Sequence, residues 1–303
     1  MAGSTLDALW HAMPWFLLAL GSALFQVLRN MVMKSLGHAL DETINVWGRF
    51  TFILPFAAIP LLVTGIPELK AGWWSACLIF AVCQFTGTQF LALALKEAEI
   101  SLVTALWKVS VVILVVWGFL ALGETPSPLG VAGVLVSVVG VYLINVERAR
   151  VSLWSPLVAL VTNRGQRFTV GAALFYAPAV VYIKKLALLS NPSFAVFMGY
   201  VLCSAFITPV ALWRSARYFP QIGRHWWSFV ALGAFAAIST QLGTTAYTMT
   251  VSAYVEAVKQ LEVLIALVIG WLVFKEGARI RSIWLGCTVM VAGLVLLMLG
   301  QGG

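Results

Sequence analysis

Three ionisable residues lie close together in the otherwise apolar stretch 251–274. They are Glu256, Lys259 and Glu262. A charged side chain at the centre of a membrane-spanning helix costs about 2.5–3.5 kcal/mol on insertion scales, so such residues usually serve function or pair with one another. Each glutamate lies three residues from Lys259, which is within pairing reach on a helix. Lys259 can neutralise one acid in a purely structural pair, and the other acid is then left to bind a proton or an amine.

A second polar face follows residues 22–33. Gln26, Arg29 and Asn30 recur there at helical spacing within an apolar segment. Arg29 lies too far from either end of the predicted helix for its guanidinium to reach water easily. An arginine at such a depth can hold a carboxylate through two hydrogen bonds at once.

We predict the substrate-binding residues from the ionisable and amide side chains that fall on polar helix faces. They are Gln26, Arg29, Asn30, Arg49, Lys108, Gln241, Glu256, Lys259 and Glu262. Glu262 and Glu256 are also predicted to bind and release protons. Arg49 has an alternative role, a structural bond to a neighbouring carbonyl group.

Other residues of the apolar segments have a simpler reading. Lys34, Lys184 and Lys185 lie at predicted helix ends, where we expect their ammonium groups to reach the membrane surface. Four tryptophans could stack on a ligand or anchor the chain at the membrane interface; they are Trp47, Trp107, Trp117 and Trp271.

The composition predicts that these helices lie in lipid. The 303 residues are 61% hydrophobic and only 10% charged, whereas a soluble domain carries about 25% charged residues. The net charge of +8 is then expected to record loop orientation and not nucleic-acid binding. The histidines and cysteines have no metal-ligand spacing, and we expect no metal and no cofactor.

Ten apolar runs are long enough to cross a bilayer of about 30 Å. Breaks rich in glycine, proline and charge separate them, and the predicted spans are 14–35, 44–65, 73–95, 100–122, 129–146, 168–188, 194–213, 226–247, 251–274 and 282–300. The longest hydrophilic stretch, 147–167, divides the helices five and five. The predicted units are therefore a first repeat at 1–146, a loop at 147–167 and a second repeat at 168–303.

The two halves resemble each other in sequence. The segment "GSALFQVLRNMVMKSL" (21–36) matches "GAALFYAPAVVYIKKL" (171–186), and "GFLALGE" (118–124) matches "GWLVFKE" (270–276). Gly133 and Gly140 likewise match Gly286 and Gly293. Because a unit of five spans begins and ends on opposite sides, the second copy must be inverted. We therefore predict an all-α integral membrane protein of ten transmembrane helices, arranged as two inverted five-helix repeats around a central cavity.

At this level the sequence resembles the EamA-type members of the drug/metabolite transporter superfamily. The resemblance rests on the five-plus-five pattern, on Glu124 and Glu276 at the ends of helices 4 and 9, on the paired glycines of helices 5 and 10, and on Arg49 early in helix 2. It covers nearly the whole chain. It implies a ten-helix exporter of amino acids, drugs or other small metabolites with a central cavity, in a bacterial cytoplasmic (inner) membrane.

The predicted function is transport of a small zwitterionic metabolite, such as an amino acid, by alternating access. Its carboxylate would bind Arg29 and its ammonium group Glu262. The alternative substrate is an organic anion or phosphate ester, with the acids of helix 9 serving proton coupling. An integral membrane enzyme or a non-transporting subunit is a third possibility, but the sequence contains no nucleophile, metal or phosphate-loop motif.

The predicted orientation depends on which signal is used. We name the face at which helix 1 ends side A and the opposite face side B. Most of the 19 lysines and arginines fall in side-A loops, and the positive-inside rule then puts side A in the cytoplasm and both termini outside. The family resemblance implies the reverse, with both termini in the cytoplasm.

Overall fold

The computed structural model describes residues 2–37, 39–97, 103, 107, 109–149, 163–265 and 284–300. The predicted site residue Lys108 lies outside the described residues, as do Trp271 and Glu276. Within the described part every regular element is helical, in agreement with the all-α prediction.

The α-helices are numbered in chain order. They are α1 (Ala2–Gly37), α2 (Glu42–Thr64), α3 (Trp73–Glu97), α4 (Val109–Leu122), α5 (Pro128–Ala149), α6 (Arg164–Leu189), α7 (Pro192–Arg214), α8 (Trp226–Met249), α9 (Ser252–Lys259) and α10 (Trp284–Leu299). Two 3₁₀ helices, Ala216–Gln221 and Gly223–His225, lie between α7 and α8. In the described part six spans, in α1, α2, α3, α6, α7 and α8, are long and apolar enough to cross a membrane, and α4, α5 and α10 contain shorter apolar helices.

Polar residues in the predicted breaks start the helices. The Asp41 side chain accepts a hydrogen bond from the Ile44 amide (2.9 Å) at the start of α2, and Asn191 accepts one from the Phe194 amide (2.8 Å) at the start of α7. These bonds satisfy amide groups that have no partner in the first helical turn. At the other end of α2, Gly65 has φ +72°, a conformation that is cheap only for glycine.

Contacts between helix ends define the two faces. On side A, Ser215 at the end of α7 donates a hydrogen bond to Asp41 (2.5 Å) at the start of α2. On side B, Trp73 at the start of α3 donates one to Ser190 (3.0 Å) at the end of α6. The α1–α2 and α7–α8 connections therefore share side A, and the α2–α3 and α6–α7 connections share side B.

Most of the larger contacts between helices recur when the first five helices are exchanged with the last five. The contact of α1 with α8 has its counterpart in α6 with α3, that of α2 with α8 in α7 with α3, and that of α1 with α9 in α6 with α4. The remaining large contacts, α2 with α7 and α5 with α10, are their own counterparts.

The α5–α10 contact depends on the glycines that the two halves share. A Cβ atom on Gly133 would lie 2.7 Å from the carbonyl oxygen of Gly293, and one on Gly293 would lie 2.8 Å from that of Gly133. A Cβ on Gly140 would lie 2.2 Å from the amide nitrogen of Met290. Only residues without a side chain allow the two backbones to approach so closely.

The prediction of one continuous helix over 251–274 is wrong. Helix α9 ends at Lys259, a turn follows at Gln260 and Leu261, and residues 262–265 are helical again. The Gln260 amide donates to both Glu256 and Ala257 (3.2 Å each), and the Leu261 amide donates to Val258 (2.9 Å), so the chain tightens into i to i−3 bonding. No proline or glycine marks this break, and the apolar pattern therefore carries no signal of it.

Candidate functional site

A cavity of about 520 Å³ lies among the helices. It reaches from Met33 and Lys34, near the side-A end of α1, to Ile183 and Tyr247. Its polar lining consists of Gln26, Arg29, Asn30, Lys34, Asn45, Arg49, Gln84, Thr88, Ser239, Thr240, Thr244, Lys259 and Glu262, together with three tyrosines. A cavity of this size can hold a small metabolite.

The structure brings most of the predicted site residues to this cavity. Gln26, Arg29, Asn30, Arg49, Lys259 and Glu262 line it. Glu256 lies behind the wall, where its side chain contacts lining residues. Gln241 is not part of the lining: its side-chain amide donates to Ser193 Oγ (3.2 Å) at the start of α7. The neighbouring Ser239 and Thr240 line the cavity instead.

Few of the hydrogen-bond donors of the two arginines have an acceptor among the described residues. Arg29 is only 8% exposed, and its Nε and Nη2 atoms donate to Asn30 Oδ1 (3.2 and 2.9 Å). The Nε atom of Arg49 is buried without a partner. Within the described residues neither guanidinium forms an ion pair. The buried Arg29 and the half-buried Arg49 share one cavity with a single described acid, Glu262, and this excess of positive charge favours an anionic group as ligand.

Glu256, one acid of the 251–274 segment, has protein partners at both of its carboxylate oxygens. Lys259 Nζ lies 2.6 Å from Glu256 Oε1 and 3.2 Å from Tyr247 Oη. Tyr247 donates to the same carboxylate oxygen, and Tyr176 donates to the other one (3.3 Å). We call Tyr176, Tyr247, Glu256 and Lys259 the floor cluster. The cluster is an internally satisfied ion pair that presents two phenol groups and an ammonium group to the cavity.

Glu262 has a different environment from Glu256. It lies after the break in the helix, lines the cavity, and accepts a hydrogen bond from Gln26 Nε2 (2.5 Å) on α1. The turn at Gln260 and Leu261 separates it from the floor cluster. Glu262 is therefore the cavity-lining acid in the described part of the chain.

Aromatic side chains form much of the remaining wall. The rings of Trp107 and Tyr176 are 4.8 Å apart at an interplanar angle of 50°, and Phe80, Tyr200 and Tyr247 also line the cavity. The sequence reasoning found Trp107 but missed the tyrosines, because a tyrosine in an apolar helix has no distinctive spacing. Their one signal was the unsatisfied hydroxyl group that a buried tyrosine brings.

The expectation that Lys184 reaches the membrane surface is wrong. Lys184 is 7% exposed, and its Nζ atom lies 2.6 Å from Glu124 Oε1 and donates to the Thr250 carbonyl (2.6 Å). The same carboxylate accepts bonds from the amide (3.1 Å) and hydroxyl (2.7 Å) groups of Ser252. A carboxylate at the end of α4 thus holds the lysine inside the protein. Lys34, which matches Lys184 in the other repeat, is exposed.

The described residues contain no group of three or more histidine, cysteine, aspartate or glutamate side chains that could hold a metal ion. The four cysteines are free, with Cys77 and Cys203 buried. Cys83 lines the cavity.

The chain is similar to known membrane transporters over most of its length. The EamA-like transporter family matches it at residues 13–146 and 163–299. A riboflavin transporter of Brucella anthropi is 24% identical over 254 residues, covering 81% of this chain and 84% of that protein. A crystal structure of another protein superposes with a TM-score of 0.70 at 16% identity, covering 98% of this chain and 96% of that one. That superposition shows a shared fold.

Proposed function

Because the chain belongs to the EamA-like transporter family, in the drug/metabolite transporter superfamily, and is a multi-pass membrane transporter, we propose that its substrate is a small metabolite carrying a carboxylate or phosphate group. The observation that carries this proposal is the pair of guanidinium groups in one cavity. Neither Arg29 nor Arg49 forms an ion pair within the described residues, so an anionic ligand supplies the missing charge.

The charge of the lining favours an organic anion over a zwitterion. Arg29, Lys34 and Arg49 line the cavity, against the single described acid Glu262, and the charge of Lys259 is balanced by Glu256. The sequence-based prediction of a zwitterion placed its carboxylate on Arg29 and its ammonium group on Glu262, and Glu256 adds no second free acid, because Lys259 and two tyrosines bind it. The zwitterion remains the second candidate, because the cavity that contains the two arginines is also lined by an acid, Glu262.

The acids then serve proton coupling. Glu262 lines the cavity. Glu256 lies behind the cavity wall and accepts hydrogen bonds from Tyr176 and Tyr247, which line the cavity. The family suggests that the anion moves out of the cell. We expect this movement to depend on proton binding by Glu262.

Alternating access between two inverted five-helix repeats is the mechanism we propose. It is supported by the exchange symmetry of the helix contacts and by the reciprocal approach of Gly133 and Gly293. We propose a bacterial cytoplasmic membrane as the location, because the riboflavin transporter relative is bacterial.

The test is a thermal-shift screen on purified protein. The panel contains dicarboxylates, sugar phosphates, amino acids and riboflavin, the last because of the relative and of the aromatic wall around Trp107. We expect stabilisation by an anion and its loss in Arg29→Gln. Stabilisation by riboflavin or by amino acids alone would refute the anion assignment.

A further inference from the structure

We propose that Glu124, Lys184 and Ser252 form a gate that closes the transport pathway at side B, and that the pathway opens to side B only when their contacts break. This proposal rests on the transport function, but it concerns how the cavity is sealed and not what the cavity binds.

The gate joins three separate parts of the fold. Glu124 follows α4, Lys184 belongs to α6, and Ser252 is the first residue of α9. Lys184 Nζ is 2.6 Å from the carboxylate, and Ser252 adds bonds from its amide (3.1 Å) and its hydroxyl (2.7 Å). These are hydrogen bonds to charged groups that are shielded from water, so they resist separation more than surface contacts do.

The gate also fixes the segment that seals side B. Every residue of α9, from Ser252 to Lys259, is buried. Tyr254 accepts a hydrogen bond from the Ser127 amide (3.0 Å) at the start of α5. The first turn of α9 therefore lies between side B and the floor-cluster residues Glu256 and Lys259 near the other end of the helix, and Glu124 caps that first turn.

The matching lysine of the other repeat is in the opposite state. Lys34 occupies in "GSALFQVLRNMVMKSL" the position of Lys184 in "GAALFYAPAVVYIKKL". Lys34 lines the cavity and is exposed, whereas Lys184 is buried and paired. Equivalent positions in two repeats thus differ in burial, as expected of a carrier that is open on side A and closed on side B.

The test measures access to the cavity from each side of the membrane. Cys83 lines the cavity and is kept as the sole cysteine, with Cys77, Cys203 and Cys287 replaced by alanine. A membrane-impermeant thiol reagent is then applied to one face at a time in oriented vesicles. We expect wild-type Cys83 to react from side A, and Glu124→Gln and Lys184→Met to raise the rate from side B by roughly tenfold or more.

Lys185→Met is the matched control. This residue neighbours Lys184 but lies over the Tyr182 ring at 5.6 Å and should leave the labelling pattern unchanged. Ser252→Ala, which removes one bond only, gives a smaller increase and carries the test if a charge variant does not fold.

Side-B labelling at the wild-type rate in every variant that folds would overturn the gate, as would a wild-type Cys83 that is unreactive from side A. The readout needs no substrate. Failure of the anion assignment would therefore leave the labelling result standing, and failure of the gate would leave the binding screen standing.

Discussion

Arg29 and Arg49 line the cavity, and neither forms an ion pair within the described residues. A lysine in place of Arg29 keeps the positive charge but cannot form two parallel hydrogen bonds to a carboxylate or phosphate. We expect Arg29→Lys to weaken substrate binding about tenfold, in line with about 1.5–3 kcal/mol for a charged hydrogen bond. Calorimetric titration checks this, with Arg217→Lys, which lies over Tyr218, as the control. Unchanged affinity would remove Arg29 from the site.

The ion pair of the floor cluster makes a prediction about stability. Lys259→Met leaves the carboxylate of Glu256 buried without its cation, which should destabilise the protein by about 3–5 kcal/mol. The double variant Lys259→Met with Glu256→Gln should recover part of that loss, because no buried charge remains. Thermal unfolding in detergent measures both. Equal stability of the single variant and the wild type would mean that the pair is not buried.

Glu262 should matter for coupling and not for folding. Glu262→Gln keeps an acceptor for Gln26 but cannot exchange a proton, so we expect a folded protein whose transport no longer depends on pH. Uptake measured across a range of pH values tests this, with the exposed loop residue Glu68→Gln as the control. Wild-type pH dependence in Glu262→Gln would exclude this residue from proton coupling.

The charges of the cavity could be predicted from the sequence, but their pairing could not. Arg29 and Glu262 stand out because each costs free energy in an apolar helix. Whether Lys259 pairs with Glu256 or with Glu262 depends on Tyr176 and Tyr247, which come from α6 and α8. Gln241 fell on a polar face of its helix, but that face meets α7 through Ser193.

At the scale of helices, the α5–α10 contact makes the sharpest prediction. A Cβ on Gly140 would meet backbone atoms of Met290, which cannot move as a side-chain tip can. We expect Gly140→Ala to destabilise the protein by about 1–3 kcal/mol. Gly223→Ala is the matched control, since nothing lies within 4 Å of its Cβ position. A drop in the unfolding temperature for both variants, or for neither, would contradict this account.

Helix ends were more predictable than helix continuity. Asp41 and Asn191 mark the starts of α2 and α7 because their side chains bond amides of the first turn. The break after Lys259 has no such marker. Its neighbours include good helix formers, and the phenol groups that bond Glu256 and Lys259 come from α6 and α8.

At the scale of the whole molecule, matching residues that recur at a nearly constant separation in the two halves predict the repeat. The conformational state could not be predicted, since Lys34 and Lys184 are identical in type and differ only in what surrounds them.

The orientation of the protein in the membrane can also be tested. Arg214 ends α7, and Arg217 and Arg224 follow it before α8 on side A. We therefore expect a reporter active only in the cytoplasm to be silent when fused after Gly303. A strong signal would support the family-based orientation.

The central claim is that the cavity around Arg29 and Arg49 is the path of an anionic substrate. Counterflow in proteoliposomes tests it most directly, with the best anion from the binding screen loaded inside and its labelled form outside. We predict saturable accumulation by the wild type, none by Arg29→Gln with Arg49→Gln, and wild-type rates for Arg217→Gln. Equal counterflow in the double variant and the wild type would contradict the account.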